Sequence, residues 1–325
     1  MKAPFPYFGG KSKIAHLVWQ ALGQPRHYIE PFFGSGAVLL ARPGYDPAHH
    51  TETVNDKDGF VANVWRSLKF SPDQVAEWCD WPINQVDLCA RRQELIRNEE
   101  RLLENLKADP EWHDPVIAGY WIWAASCWIG NGLTGKEAGI RLSGESGINA
   151  IGRRLGLSGF ADKGVRIYPR PDLTTGQGIN IAMSSGIHTW FHEISERLRK
   201  VHVTCGDWTI VCGGNWQDRR GIVGIFFDPP YGVDDRNKKI YHQDSIEIAA
   251  KVNSWALERG KKEKYRIIIT GYEEHMNLLD HGWSCLKWKA NGGYGNRSKG
   301  KNKNCTREMI YYSPYCVQNQ MEMAI

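Results

Sequence analysis

The run "GIVGIFFDPPYGV" at 221–233 sets the tightest limit on what this chain can fold into. Its apolar residues read as a strand, and Asp228 is followed at once by Pro229 and Pro230. Neither proline has an N–H to give to a ladder and each fixes its own φ, so a central strand has to stop there. An acid, proline carbonyls and the ring of Tyr231 are thereby gathered at one strand's carboxyl end.

Five further β-like runs, "HYIEP", "TETVN", "VHVTCGD", "YRIIITGY" and "TREMIYYSP", alternate with helical patterns at 12–22, 58–69, 84–107, 189–199 and 245–259. That alternation predicts an α/β sheet with helices on its faces. Between 70 and 188 strand signals nearly vanish, tryptophans become frequent (Trp78, Trp81, Trp112, Trp121, Trp123, Trp128), and 130–164 is rich in Gly and Ser. The expected organisation is a core built from 1–69 and 189–325 with a helical insertion at 70–188. Its long loop is either a recognition surface or an excursion without one.

With 325 residues, 42% of them hydrophobic, the chain can bury a substantial core. Its longest apolar stretches fall short of the roughly 18 to 20 residues that span a bilayer, and no leader pattern follows Met1. A cytoplasmic protein is expected. Eight cysteines show no C-x-x-C pair and no histidines at zinc spacing, so no metal is expected. The net charge is +5, but 287–307 alone holds seven Lys or Arg and no acid, leaving the remainder slightly acidic. Such a strip suits a polyanion, and a solvated Gly/Asn/Lys loop would share its composition.

In "YIEPFFGSGAVLL" a short strand meets Gly34-Ser35-Gly36 and then a helical run. The pattern either cradles an anionic group against helix N–H groups or makes an ordinary tight connection. It is not G-x-G-x-x-G, which disfavours a dinucleotide. Asp56 ends the second strand, where an acid bonds ribose hydroxyls or caps the helix that follows near Gly59. Asp207 ends the third, followed by Trp208, whose ring could stack on a base. Upstream, Gly9-Gly10-Lys11 with Tyr7 and Phe8 could close one side of a nucleoside pocket, and is too short for a phosphate-binding loop of the G-x-x-x-x-G-K type.

The Asp228 carboxylate and a proline carbonyl are two rigid acceptors side by side, which match the two donors of an NH2 group. Such acceptors draw a conjugated amine toward tetrahedral geometry and stabilise positive charge developing on its nitrogen. Tyr231 can stack on the base that carries the amine. In a duplex that base must first be extruded, at a cost of a few kcal/mol.

In "PFPYFGGK", "EPFFGSG", "ND", "GDW" and "DPPY", taken in this order, the chain resembles the Dam-type (D12 class, alpha group) DNA adenine-N6 methyltransferases. "YWIWAASCWIGNGL" and "GGYGNRSKGKNKNCTREMIYYSP" are similar to that family's aromatic stretch and its basic segment with the last strand. The resemblance implies a doubly wound, Rossmann-like S-adenosylmethionine-dependent core with an inserted, mainly helical target-recognition domain. It implies S-adenosylmethionine near Tyr7, Phe8, Gly10, Lys11, Pro31, Phe32, Gly34, Ser35, Gly36, Asp56, Asp207 and Trp208, and the target amine at Asp228, Pro229, Pro230 and Tyr231. Double-stranded DNA is the implied partner, at Asn131, Arg297, Lys299, Lys301 and Lys303. Phe33 stands where the family often has a smaller or aliphatic residue.

The expected activity is methyl transfer from S-adenosylmethionine to adenine N6 in duplex DNA, without a metal and with the oligomeric state open. The alternatives are another planar NH2 (an RNA base, cytosine N4 or a protein glutamine) and a catalytically silent DNA-binding module.

Overall fold

The computed structural model describes residues 1–5, 7, 9–127, 133–134, 186–219, 221–230, 241–288 and 308–317. They divide into two compact units. One comprises 1–2, 8–57 and 200–325, the other 3–7 and 58–199.

The first unit is built on a seven-stranded sheet. Its strands are β1 (His27–Glu30), β2 (Thr51–Asp56), β3 (Val201–Cys205), β4 (Val223–Phe227), β5 (Tyr265–Gly271), β6 (Ser284–Lys287) and β7 (Met309–Tyr312). The order is β3-β2-β1-β4-β5-β7-β6. The first five strands are mutually parallel, and β7 runs antiparallel to both β5 and β6. All six strands expected from the sequence are present. The half-exposed edge strand β6 was not foreseen, because "SCLK" has neither an apolar run nor clear alternation.

Because side chains alternate along a strand, the register sorts the sheet's residues onto two faces. Ile29, Ile225, Phe227, Ile267 and Ile269 share one face and form a core with Val252 and Ala256 of the long helix Tyr241–Gly260. The other face carries Gly224 and receives α1 (Ala15–Leu22), whose end lies close on β4. A Cβ added at Gly224 would sit 2.7 Å from Pro25 Cγ and 3.4 Å from Leu22 Cδ2. The glycine inside this otherwise apolar strand is therefore a close-approach position.

A four-residue α2 (Ala37–Leu40) follows the glycine turn after β1, and an equally short α8 (Thr209–Cys212) follows β3. The helix Tyr241–Gly260, α9 in chain order, connects back to β5.

The second unit contains α3 (Gly59–Phe70), α4 (Pro72–Cys79), α5 (Gln85–Ala108), α6 (Pro115–Cys127) and α7 (Gly186–Leu198). Helix α6 is apolar on nearly all sides, and its Ile117, Trp121, Ile122, Trp123 and Ala124 are buried. A helix of that kind belongs at the centre of a bundle. Around it, α5 turns Leu88, Leu95, Leu102 and Leu106 inward. Helix α3 packs in this unit, as does α7, so the division falls after Lys57 and after Arg199 rather than at 69/70 and 188/189. The physical reason is burial: α3 has ten of its twelve residues buried, and helices α5, α6 and α7 pack against it. Its N-cap is Asp58, whose carboxylate accepts from Phe60 N at 2.8 Å, so Asp56 does not cap it.

Gly224→Ala is expected to destabilise the protein by about 1 to 3 kcal/mol, since neither the Pro25 ring nor the α1 terminus can move aside freely. An unchanged urea midpoint would show that the approach of α1 to β4 is not tight.

Candidate active site

In a doubly wound sheet the ligand crevice opens at the carboxyl ends of the strands where the strand order reverses. Here that point lies between β1 and β4, which are hydrogen-bonded neighbours although nearly two hundred residues separate them in the chain. The glycine turn leaves β1 and the D-P-P sequence leaves β4, so the fold brings the two predicted motifs to one crevice.

The turn is shaped by backbone conformation. Gly34 and Gly36 have φ of 47° and 62°, in the left-handed region where a Cβ is penalised. Phe33 N donates to Asn55 O at 2.9 Å, Gly36 N to Phe33 O at 2.9 Å, and Gly34 N to Asp56 Oδ2 at 2.8 Å. Asp56, expected at a ribose, thus has one carboxylate oxygen closing the glycine turn. Ser35 is buried within it.

Asn55 was not singled out from the sequence, yet it ties three strand ends together. Its Nδ2 donates to Pro31 O at 3.1 Å, after β1, and to Gly206 O at 2.9 Å, after β3. Its Oδ1 accepts from Thr204 Oγ1 at 2.9 Å, and the residue is 1% exposed. Its sequence signals were its place beside Asp56 in the "ND" pair and a polar residue where a buried strand would carry an apolar one.

Asp207 is exposed, and its Oδ1 accepts from Thr209 N at 3.0 Å and Thr209 Oγ1 at 2.6 Å, at the first residue of α8. Burial works against its charge, but the Thr209 hydrogen bonds together with Lys57 and Lys251 hold it below the ordinary carboxylate value. Trp208, expected to present its ring to a base, is 5% exposed and packs edge-on against Phe227 and Trp255. Phe32 is half-buried and lies against the same Phe227. Both rings build the hydrophobic floor beneath the strand ends. Tyr7 belongs to the second unit, exposed and edge-on to Phe5, while Gly10 is exposed in the first.

Lys11 was expected near the cofactor. The structure places its ammonium, 4% exposed, 3.1 Å from Asp228 Oδ1, 3.4 Å from Glu308 Oε1 and 2.8 Å from Gly9 O. Thr270 Oγ1 donates to the same Asp228 Oδ1 at 2.7 Å. Asp228 is therefore held by a cation and a hydroxyl before any substrate arrives, with its side chain 20% exposed. Pro229 is buried and Pro230 exposed. Thr270 and Glu308 carry no motif of their own and become visible only when β5 and β7 are laid beside β4.

Glu30, also unpredicted, is 2% exposed and accepts from Tyr28 Oη at 2.8 Å. Burial pushes its carboxyl well above the ordinary value, and the charges of Asp228 and Glu52 add to this. Phe8, Tyr231, Asn131, Arg297, Lys299, Lys301 and Lys303 lie outside the described residues. Among the described residues no group of three or more His, Cys, Asp or Glu is placed to hold a metal ion, and no helix is long and apolar enough to cross a membrane.

A mainly parallel sheet in this order, with an antiparallel strand inserted before its edge and a glycine turn and an acid flanking its switch point, defines a Rossmann-like methyltransferase fold. Residues 7–111, about a third of the chain, match the model of the D12 class N6 adenine-specific DNA methyltransferase family, which indicates a site-specific DNA adenine methyltransferase. No curated protein matches the chain.

Asn55→Asp keeps the shape but turns a double donor into an acceptor facing two carbonyls. It is expected to cost about 2 to 4 kcal/mol, the sum of lost bonds and buried repulsion. Chemical denaturation checks this, and a neutral result would show that Asn55 does not hold the strand ends.

Proposed function

We propose that the protein transfers a methyl group from S-adenosylmethionine to the N6 amine of an adenine extruded from duplex DNA, at the Asp228-Pro229-Pro230-Tyr231 corner. The observation that carries this reading is the adjacency of β1 and β4, which sets the Gly34–Gly36 turn and Asp228 on either side of one crevice.

The residues at the glycine turn fit the cofactor. Two left-handed glycines allow a ligand to approach the backbone closely, and Asp56 stands at the end of the neighbouring strand. S-adenosylmethionine, when bound, supplies an already activated methyl group on a sulfonium. The protein's part is then alignment and exclusion of water.

Asp228 and the Pro229 carbonyl accept the two N–H bonds of the amine and orient its lone pair. As that nitrogen becomes positive, the carboxylate stabilises it without having to reorganise, because Lys11 and Thr270 already fix its position. The methylated nitrogen then loses a proton without needing a strong base. Tyr231 stacks on the extruded adenine and offsets the cost of unpairing. The helical unit reads the target sequence, with Asn131 on its aromatic segment, and the basic segment that includes Arg297, Lys299, Lys301 and Lys303 follows the phosphates.

Asp228→Ala is expected to lower methyl transfer at least about a hundredfold while leaving S-adenosylmethionine binding nearly intact. Tritiated methyl incorporation into duplex DNA, single-stranded DNA and tRNA tests both the residue and the substrate. Near-normal turnover by the variant, or preference for tRNA, would overturn the reading.

Neutralising Lys299, Lys301 and Lys303 together should weaken binding to any DNA sequence alike. The slope of log affinity against log salt should flatten by roughly 2 to 3, as expected for three lost phosphate contacts. An unaltered slope would mark the strip as a solvated loop.

A further inference from the structure

The edge of the sheet away from the crevice carries a second cluster of charge. Ile222 precedes β4, Lys262, Glu263 and Lys264 precede β5, and Arg266 lies within it. Antiparallel β7 returns Tyr315 to the same edge. These six residues line an open groove of about 550 Å3, within the range of small-ligand sites. All belong to the first unit. Because β4 and β5 begin here while Asp228 and Thr270 stand at their far ends, the groove is no part of the active site proposed above.

Among the described residues three cations and one acid line it. Lys262 Nζ is 3.1 Å from Asp218 Oδ2, and Lys264 Nζ donates to Asp218 O at 2.8 Å and lies 3.2 Å from Asp218 Oδ1. The same carboxylate meets Arg259 at 3.5 Å, so one acid is divided among three bases. Arg266 NH1 donates to Leu22 O at 2.7 Å, and a Cβ added at Gly23 would sit 2.8 Å from that nitrogen. The guanidinium is thus fixed across the end of α1, with one of its five N–H donors used by Leu22 O. Beside these cations Tyr315 and Ile222 are exposed, at 43% and 38%. Cations alone would suit any anion, and an exposed ring alone any apolar surface. The two held together on a rigid edge suit a strand whose backbone is charged and whose bases present flat faces. In a duplex those faces are stacked inside, where a ring beside the backbone does not reach them.

We propose that this groove is a second nucleic-acid site, which binds single-stranded DNA by placing phosphates at Lys262, Lys264 and Arg266 and a base on the ring of Tyr315. Ile222 supplies apolar contact beside that base. Asp228 has no part in it. The test is fluorescence anisotropy of the full chain with labelled oligothymidylate of about ten nucleotides, within the span of one single-strand site, titrated over a range of salt. Each titration is repeated with Lys299, Lys301 and Lys303 replaced by Gln, so that binding by the basic segment is not counted as binding by the groove. Tyr315→Ala should weaken binding roughly five- to a hundredfold, the loss of one stacked base, and Tyr315→Phe should retain most of it. Lys264→Gln combined with Arg266→Gln should flatten the slope of log affinity against log salt by about 1.4, as for two phosphates of a single strand. Affinity for a blunt duplex of the same length should be unchanged by the Tyr315 variants.

Undiminished single-strand affinity in Tyr315→Ala, an equal loss in Tyr315→Phe, or an unchanged salt slope in the double variant would overturn the proposal. Duplex affinity that falls in parallel with single-strand affinity in Tyr315→Ala would overturn it as well, marking the edge as a general cationic surface. Should the double variant fail to fold, since Lys264 also holds Asp218, the two Tyr315 variants decide alone.

Discussion

A lysine ammonium removed from water is stable only where carboxylates and carbonyls repay its dehydration, and Lys11 meets that condition through Asp228, Glu308 and Gly9. The requirement reaches well beyond one side chain. It fixes the turn before α1, the end of β4 and the start of β7 relative to one another, joining segments that lie near residues 10, 228 and 308. The acid at the head of the D-P-P sequence is consequently a structural group as well as a chemical one, and its orientation is set by the fold.

The same face of the sheet carries more charge than a core usually tolerates. Arg42 meets Glu52 at 2.9 Å with both side chains fully buried, and its other nitrogen donates to Pro25 O at 2.6 Å. Between that pair and the Lys11 group lies Glu30, held by Tyr28 and shifted by burial toward its protonated form. The result is a row across β2, β1, β4 and the start of β7 in which two ion-paired groups flank a carboxyl that burial favours as neutral. Each acid of the row has a hydrogen-bond or ion-pair partner, so the row costs less than its charges suggest. Among the ion-paired acids of this row Asp228 is the most open to solvent, which is what a group awaiting a substrate amine requires.

In the helical unit, cations serve packing. Arg66 donates to the carbonyls of Leu106, Asp109 and Trp112, and Arg91 lies over the rings of Trp81, Tyr120 and Trp123. The tryptophans that are frequent in this segment are partly its core: Trp123 is fully buried and donates to Trp81 O, and Trp121 is 7% exposed. Composition alone does not distinguish an aromatic that reads a partner from one that fills a bundle, because both uses select large, flat side chains.

The sequence by itself determined the local events. Apolar runs ended by prolines, glycines and acids marked six strands, and the D-P-P and G-S-G signals marked two strand ends where chemistry was to be expected, because these residues constrain their own backbone. It left unseen β6, whose residues lack a pattern, and Asn55, Thr270, Glu30 and Glu308, whose significance is not local. Trp208 and Phe32, expected at the ligand, both pack against Phe227, a contact that their local sequence does not announce. What only the tertiary structure decided is which ends meet. The strand order sets β4 between β1 and β5 and β7 beyond it, and pairs Lys11 with two acids from the far end of the chain. Such pairings depend on sheet register and on the burial of charge, and both arise only after distant segments have packed.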